Sequence, residues 1–392
     1  VNDEIRTGSI LSQRAATVYS LGEIATFKSG GTPSKSDTEY WNGDYPWVTA
    51  KDLKSITVSH SVDRLSESGY RAANIAPKGS LLVLVRGMTL HKDVPVCLAG
   101  RDVAFNQDIK ALIPASSINA KYLVYYLQSQ KNRLLRLVDS AGHGTGRINT
   151  DLLKAFSVAV PTLAVQASIV DLLSICDEAI EKAERLITAK EREFKWLLKK
   201  LIGEQWNNPA RRKIKLEEAF GNELIIEKGT PLKKTEMRKG DFPVIAGGQN
   251  YAFFHDKFTH NVETITISSS GAYAGFVWFH GYPIFATDCN VIRARRGHVK
   301  YFYYAIKMQQ NRIYALQSGG AQPHIYAKDI ATLYVPVPPV IQQEKIANVL
   351  DLAQKKIELL RQLTEKYREQ KKGLMQKLLT GQWLIRTGME AV

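Results

Sequence analysis

The sequence predicts an α+β fold: two mixed α/β domains separated by two long helices that pair as an antiparallel coiled coil. Three observations predict it. First, the segment from Ile148 to Trp206 lies over Ile325 to Trp383 without a gap, at a constant offset of 177 residues. Matching pairs include Val158/Val335, Pro161/Pro338, Gln166/Gln343, Ile169/Ile346 and Gln205-Trp206/Gln382-Trp383. Second, each copy carries apolar residues at alternating steps of three and four, the spacing of a coiled-coil seam. Third, each copy follows a stretch of short β-prone runs broken by turn residues. A gapless repeat of this length marks a duplicated structural unit and gives the chain pseudo-two-fold symmetry.

Taken in order, the elements fall into an N-terminal segment (1–16), a first domain (17–160), a central long helix (161–211), a second domain (212–337), a C-terminal long helix (338–383) and a tail (384–392). In the domains, Ser80–Val85, Glu263–Ile267 and Ala274–Phe279 read as strands. Shorter helices are expected over Lys121–Leu137 and Lys300–Leu316, which align through Tyr122/Tyr301 and Tyr125/Tyr304 at an offset of 179 residues. Elsewhere the domains share only anchors: Gly31-Thr32-Pro33 with Gly229-Thr230-Pro231, and Asp44-Tyr45-Pro46 with Asp241-Phe242-Pro243. Similar helices joined to dissimilar domains suggest a constant frame presenting two different surfaces.

Each long helix follows a β-like stretch, Phe156–Val160 or Leu333–Val337, that ends at Pro161 or Pro338-Pro339. The central seam runs through Leu173, Ile180, Ile187, Phe194, Leu197 and Leu201; the C-terminal seam runs through Leu350, Ile357, Leu360, Tyr367, Leu374 and Leu378. Polar exceptions occur at Lys190, which matches Tyr367, and at Lys371, which matches Phe194. Such exceptions cost stability and fix register.

The 392 residues suffice for two or three domains. With 53 Lys+Arg against 38 Asp+Glu, the net charge is +15, which favours a polyanionic partner. No apolar run approaches the ~20 residues of a spanning helix, and no signal peptide is visible, so a cytoplasmic protein with no membrane association is expected. Cys97, Cys176 and Cys289 form no CxxC arrangement, which argues against a disulfide framework or zinc site. The eight His lack metal spacing. No Walker A sequence occurs. The only Pro-Pro, Pro338-Pro339, lacks the Asn/Asp-Pro-Pro-Tyr/Phe context an amino-methyltransferase needs to hold a flipped base. Gly142-His143-Gly144-Thr145-Gly146 lacks a Lys-Ser/Thr follow-on and aligns with Ser318–Gln322, so it reads as a loop of the repeat; His143 and His324 are expected in loop structure or backbone contact. No catalytic residue and no metal ligand can be assigned.

With these motifs in hand, the chain resembles the specificity (S) subunit of type I restriction–modification systems, over nearly its whole length. The resemblance is carried by Lys28-Ser29-Gly30-Gly31-Thr32-Pro33 with Tyr40-Trp41 and Pro46-Trp47-Val48, and by Ala274–Val277 with Ala286–Asn290 and Gly319–Ile325. The P-x-x-x-Q-x-x-I starts of both helices and Lys371–Gly381 add to it. It implies a non-catalytic subunit with two target-recognition domains, each reading one half of a bipartite, asymmetric site in double-stranded DNA, the helices setting the spacer. It further implies two methylation (M) subunits on the repeated helices and leaves room for two restriction (R) subunits. S-adenosylmethionine, ATP and Mg are then expected on those partners, with no cofactor in this chain. Rival readings are an enzyme fragment, an orphan S-type protein, and a coiled-coil DNA-binding adaptor outside a restriction complex. The central copy departs most from the pattern, with Pro161-Thr162 in place of Pro-Pro.

Duplex recognition requires cations for phosphates and forked or amide side chains for base edges. In the first domain the candidates are Lys28, Ser34, Lys35, Lys51, Arg86, His91 and Lys92. The second domain offers Lys233, Lys234, Arg238, Gln249, Asn250, Tyr251, Ser268, Ser269, Tyr273, Arg293 and Arg295. Of these, Arg86, Gln249 and Asn250 are the expected readers of base edges; the remaining Lys and Arg are expected on the backbone.

Overall fold

The computed structural model describes residues 16–140, 144–209, 213–320 and 322–383. The expected N-terminal segment up to residue 15, the tail 384–392, and Gly142, His143 and Ala321 lie outside the described residues, as does the side chain of Lys234. The chain divides into two compact units, Val1–Lys182 with Thr364–Val392, and Ala183–Leu363. Each unit therefore combines one globular domain with one part of each long helix.

In the first unit a five-stranded sheet runs in the order Ala25–Ser29, Ile109–Pro114, Leu81–Leu84, Val96–Ala99, Thr57–Val58. Leu81–Leu84, the middle strand, is buried at all four positions, so both of its faces are covered, which matches its unbroken apolar run. A second sheet orders Arg64–Leu65, Trp41–Val48, Val103–Phe105 and Ile75–Ala76. A three-stranded ribbon joins Val138–Ser140, Gly146–Ile148 and Arg86–Gly87. Thr17–Ser20 pairs antiparallel with Ser157–Val160, so the domain's first strand lies beside the strand that leads into the central helix.

The second unit keeps this plan with fewer strands. Leu224–Lys228, Cys289–Ala294, Thr264–Ser268 and Val277–His280 form one sheet in that order. Phe242–Ile245 pairs in parallel with Phe285–Ala286, as Trp41–Val48 pairs with Val103–Phe105. Lys213–Lys215 pairs with Tyr334–Pro336, the counterpart of the closing pair in the first unit. The strand expected at Ala274–Phe279 begins only at Val277, because Gly275 takes a φ of +87° and turns the chain before it.

Both shorter helices are broken. Ala120–Ser129 is followed by Lys131–Leu135, and Val299–Lys307 by Gln310–Ala315. Gln130 and Gln309 sit at the breaks with φ near −93° and −96° and ψ near 18° and 14°, outside helical values. Buried Gln309 sends its amide to Tyr334 O, tying the break to the closing strand.

The Gly-Thr-Pro correspondence shifts by one residue. Gly31 N donates to Phe105 O and Thr230 N to Ala286 O, and Phe105 and Ala286 hold the same place in their parallel pairs. Structurally, then, Gly30 matches Gly229. At each a Cβ would meet a backbone oxygen, Asn106 O at 2.1 Å or Thr287 O at 2.2 Å, so only glycine fits.

The long helices span Leu163–Asn207 and Val340–Leu379. In both, the glutamine of P-x-x-x-Q is buried and clasps the start of the helix to the shorter helix. Gln166 accepts from Asn119 N at 2.7 Å and donates to Pro161 O at 2.8 Å. Gln343 accepts from His298 N at 3.0 Å and donates to Pro338 O at 2.9 Å. Within each unit the two helix segments run antiparallel. In the first, Asp177 meets Lys371, and Ile169 and Leu173 share a core with Leu374 and Leu378. In the second, Glu191 meets Arg361, and Phe194, Leu197 and Leu201 share a core with Ile346 and Leu350. Leu173, Leu350, Ile357 and Leu378 are buried, while Ile180, Ile187, Leu360 and Tyr367 are half-buried. No helix among the described residues is long and apolar enough to cross a membrane.

Candidate nucleic-acid interface

In the first unit Lys28, Ser34, Lys35, Lys51, Arg86, His91 and Lys92 are all exposed. Local structure commits some of them. Lys51 pairs with Asp63 at 2.7 Å, Ser34 shares a hydrogen bond with Ser36, and His91 Nε2 bonds Gly144 O at 2.6 Å. Arg86 lies on the three-stranded ribbon and, among the described residues, makes no ion pair. Met88, two residues on, is 67% exposed, an apolar group set beside these cations.

The second unit presents aromatic residues. Tyr251 stacks on Trp278 with ring centroids 5.3 Å apart, and its hydroxyl meets that of Tyr282 at 2.8 Å. Burial first, and then this contact with Tyr251, raises the Tyr282 phenol above its ordinary range. Gln249, Asn250, Tyr273, Lys233, Arg238 and Arg295 are exposed. Met237, Phe253 and Phe254 line a hollow flanked by Arg238 and Lys239.

Three candidates face inward or are held in place. Ser268 is buried and donates to Gly247 O at 2.9 Å, so it supports the loop and is closed to a duplex. Ser269 is half-buried beside Asn290. Arg293 grips Glu227 through two donors at 3.1 and 3.2 Å, and His260 adds a third contact at 2.7 Å. Burial works to raise the Glu227 carboxyl, but these hydrogen bonds outweigh it and hold the group below the usual range. An exposed cation with no acidic neighbour is free for phosphate; Arg293 is engaged by Glu227, and exposed Arg238 lies 3.8 Å from Asp256. Sequence reasoning missed Arg147, which the ribbon places directly opposite Arg86. Their separation of more than 60 residues hid the pairing, which only the strand register reveals.

A family model described as Type I restriction modification DNA specificity domain matches the chain twice, over residues 15–191 and 216–367. The chain belongs to this family. Curated relatives include the EcoR124I/EcoR124II specificity subunit of Escherichia coli, 31% identical over 183 residues, covering 45% of each chain. The MjaIX specificity subunit of Methanocaldococcus jannaschii is 30% identical over 43% of this chain and 38% of its own length. These two matches thus span less than half of either relative. The Escherichia coli EcoprrI specificity subunit aligns over 84% of this chain and 86% of its own, at 20% identity. Among solved structures, a type-I restriction-modification system S subunit from M. genitalium superposes with a TM-score of 0.65 at 21% identity, covering 93% of this chain and 96% of that one. That likeness establishes the fold of a specificity-domain protein: two α/β domains and two long helices.

Membership gives the twin helices a second meaning. Their outward faces carry exposed apolar residues at matched positions: Leu163/Val340, Leu172/Val349, Ile175/Leu352 and Leu186/Leu363. Ile175 is 65% exposed and Leu352 71%. These side chains are neither seam nor core, and both copies of the repeat keep them.

Proposed function

We propose that this chain is the DNA sequence-specificity subunit of a type I restriction–modification complex. Each unit reads one half of a bipartite, asymmetric target, and the paired helices set the spacer between the halves. The observation that carries this reading is the double match to the specificity-domain family, one match over the globular domain of each unit. The charge of +15 supports a duplex as ligand.

The matched exposed apolar residues on the two helices support two docking sites for one kind of partner, read as two methylation subunits. This reading leaves room for two restriction subunits on that core. The catalysis, with S-adenosylmethionine, ATP and Mg, belongs to those partners, and the chain itself is non-catalytic and acts in the cytoplasm, where its DNA is. Purified with its methylation subunit, the chain should bind a duplex carrying the target far more tightly than a scrambled duplex. Equal binding of both duplexes would overturn the reading.

A further inference from the structure

In the first unit Arg147 stands on the middle strand of the three-stranded ribbon, with Asp139 opposite on one side and Arg86 opposite on the other. A hydrogen bond from Ile148 N to Val85 O at 2.9 Å fixes that register. The second unit builds the same rung from single bridges. His324 pairs with Ser318 on one side and Ser270 on the other, and Ile325 N donates to Ser269 O at 3.0 Å. Arg86, Arg147 and Asp139 thus correspond to Ser270, His324 and Ser318. The backbone is shared while the side chains differ completely.

Arg86 and Arg147 are both exposed, and among the described residues neither makes an ion pair or a side-chain hydrogen bond, Asp139 included. Like charges directly opposite on neighbouring strands are unfavourable. A fold that retains such a pair gains from an acceptor-rich ligand placed against both guanidinium groups. Exposed Lys92 lies nearby in sequence, which suits a phosphate beside that ligand. In the second unit Ser270 is held by the Asp288 carboxylate, and the His324 ring stacks on Tyr326 at 6.3 Å and 18°. That surface offers a hydroxyl and an aromatic imidazole where the first offers two cations.

We infer that this rung is a specificity-determining element in both units. Arg86 and Arg147 take the acceptor edge of guanine, O6 and N7 in the major groove, in the half-site of the first unit; the groove admits two paired strands, here Gly146–Ile148 and Arg86–Gly87, which carry the two arginines. Ser270 and His324 occupy the matching place over the other half-site. The inference rests on the function proposed above, and deepens it by naming the residues that make the two halves differ.

The test is modification-site sequencing of cells whose own copy of this chain carries Arg86→Gln, Arg147→Gln or His324→Ala. The arginine variants should relax or change a G·C position in one half of the motif, with discrimination there falling about 10- to 100-fold. The other half and the spacer stay as they were, and His324→Ala alters that other half. An unchanged motif in both arginine variants overturns the inference, and this includes uniformly lower modification at every site, the mark of phosphate contact alone. If a variant abolishes modification, the purified complex decides: duplex binding without base preference supports the inference, and binding with the original preference overturns it. Should the unaltered chain direct no bipartite motif at all, the proposed function fails, and this inference fails with it.

Discussion

Lys371 Nζ donates to Asp177 Oδ1 across 2.5 Å, and the Tyr125 hydroxyl reaches the other carboxylate oxygen at 2.5 Å. In the repeat the position of Lys371 is held by Phe194, which packs edge-on against Tyr304 at 6.2 Å. Tyr304 corresponds to Tyr125 and bonds Asp351, one helical turn earlier than Asp177 would stand. The polar break in the seam is therefore a paired charge. The first unit thus has a charged contact across its helix pair where the second has the aromatic contact of Phe194 with Tyr304. Replacing Lys371 with Leu leaves a mostly buried carboxylate with one neutral donor and should cost about 2 kcal/mol of stability. Combining Lys371→Leu with Asp177→Leu should recover much of that loss. Chemical denaturation of the four proteins gives the coupling, expected at about 1–3 kcal/mol.

Acid should weaken the second unit through His280. This ring is buried, bonds Thr266 Oγ1 at 2.8 Å, and is pushed down to about 3 from its ordinary 6.5. Between those values the unfolded chain binds a proton that the folded chain refuses. Stability therefore falls as pH drops below about 6.5, by at most about 1.4 kcal/mol per pH unit from this group. Above pH 6.5 His280 contributes no slope. His280→Gln should flatten the curve between pH 6.5 and 4.5, which thermal unfolding across that range measures.

The three thiols should separate by reactivity. Burial pushes Cys97 and Cys289 up to about 12, with Asp93 and Asp288 adding to the effect. Cys176 on the central helix is only half-buried, and is raised by burial and then Asp177. Timed labelling with a thiol reagent at pH 8 should modify Cys176 first, with Cys97 and Cys289 reacting only after unfolding. Simultaneous labelling of all three in the native chain would contradict the packing described.

Salt should weaken duplex binding steeply. Each neutralised phosphate contributes about −0.9 to the slope of log K against log salt. Removing Lys35 and Lys92 together should make the slope shallower by about 1 to 2, while base preference is unchanged. Fluorescence anisotropy at several salt concentrations measures both quantities.

Much of the frame was legible because helix pairing is periodic. The seam from Leu350 to Leu378, the glutamines Gln166 and Gln343, and the duplication itself all lie in contiguous sequence. Other features required three dimensions. The rung joining Arg86 to Arg147 depends on strand register across a long separation. The one-residue shift that matches Gly30 with Gly229 depends on which backbone atoms approach each other. Ser268 and Arg293 look like free polar groups in the sequence, and only burial and the Glu227 ion pair show otherwise. The polarity of Lys371 was visible as an exception, but its reason was not, because Asp177 lies on the other helix.

One chain should read two different half-sites at a fixed spacing. The most direct measurement is modification-site sequencing of cells expressing the chain with its methylation subunit, alongside a variant shortened by two heptads in each long helix. A single asymmetric, gapped motif modified on both strands is expected. In the shortened variant the spacer should change and both half-sites should stay the same. A contiguous or symmetric motif, or altered half-sites with an unchanged spacer, would contradict it.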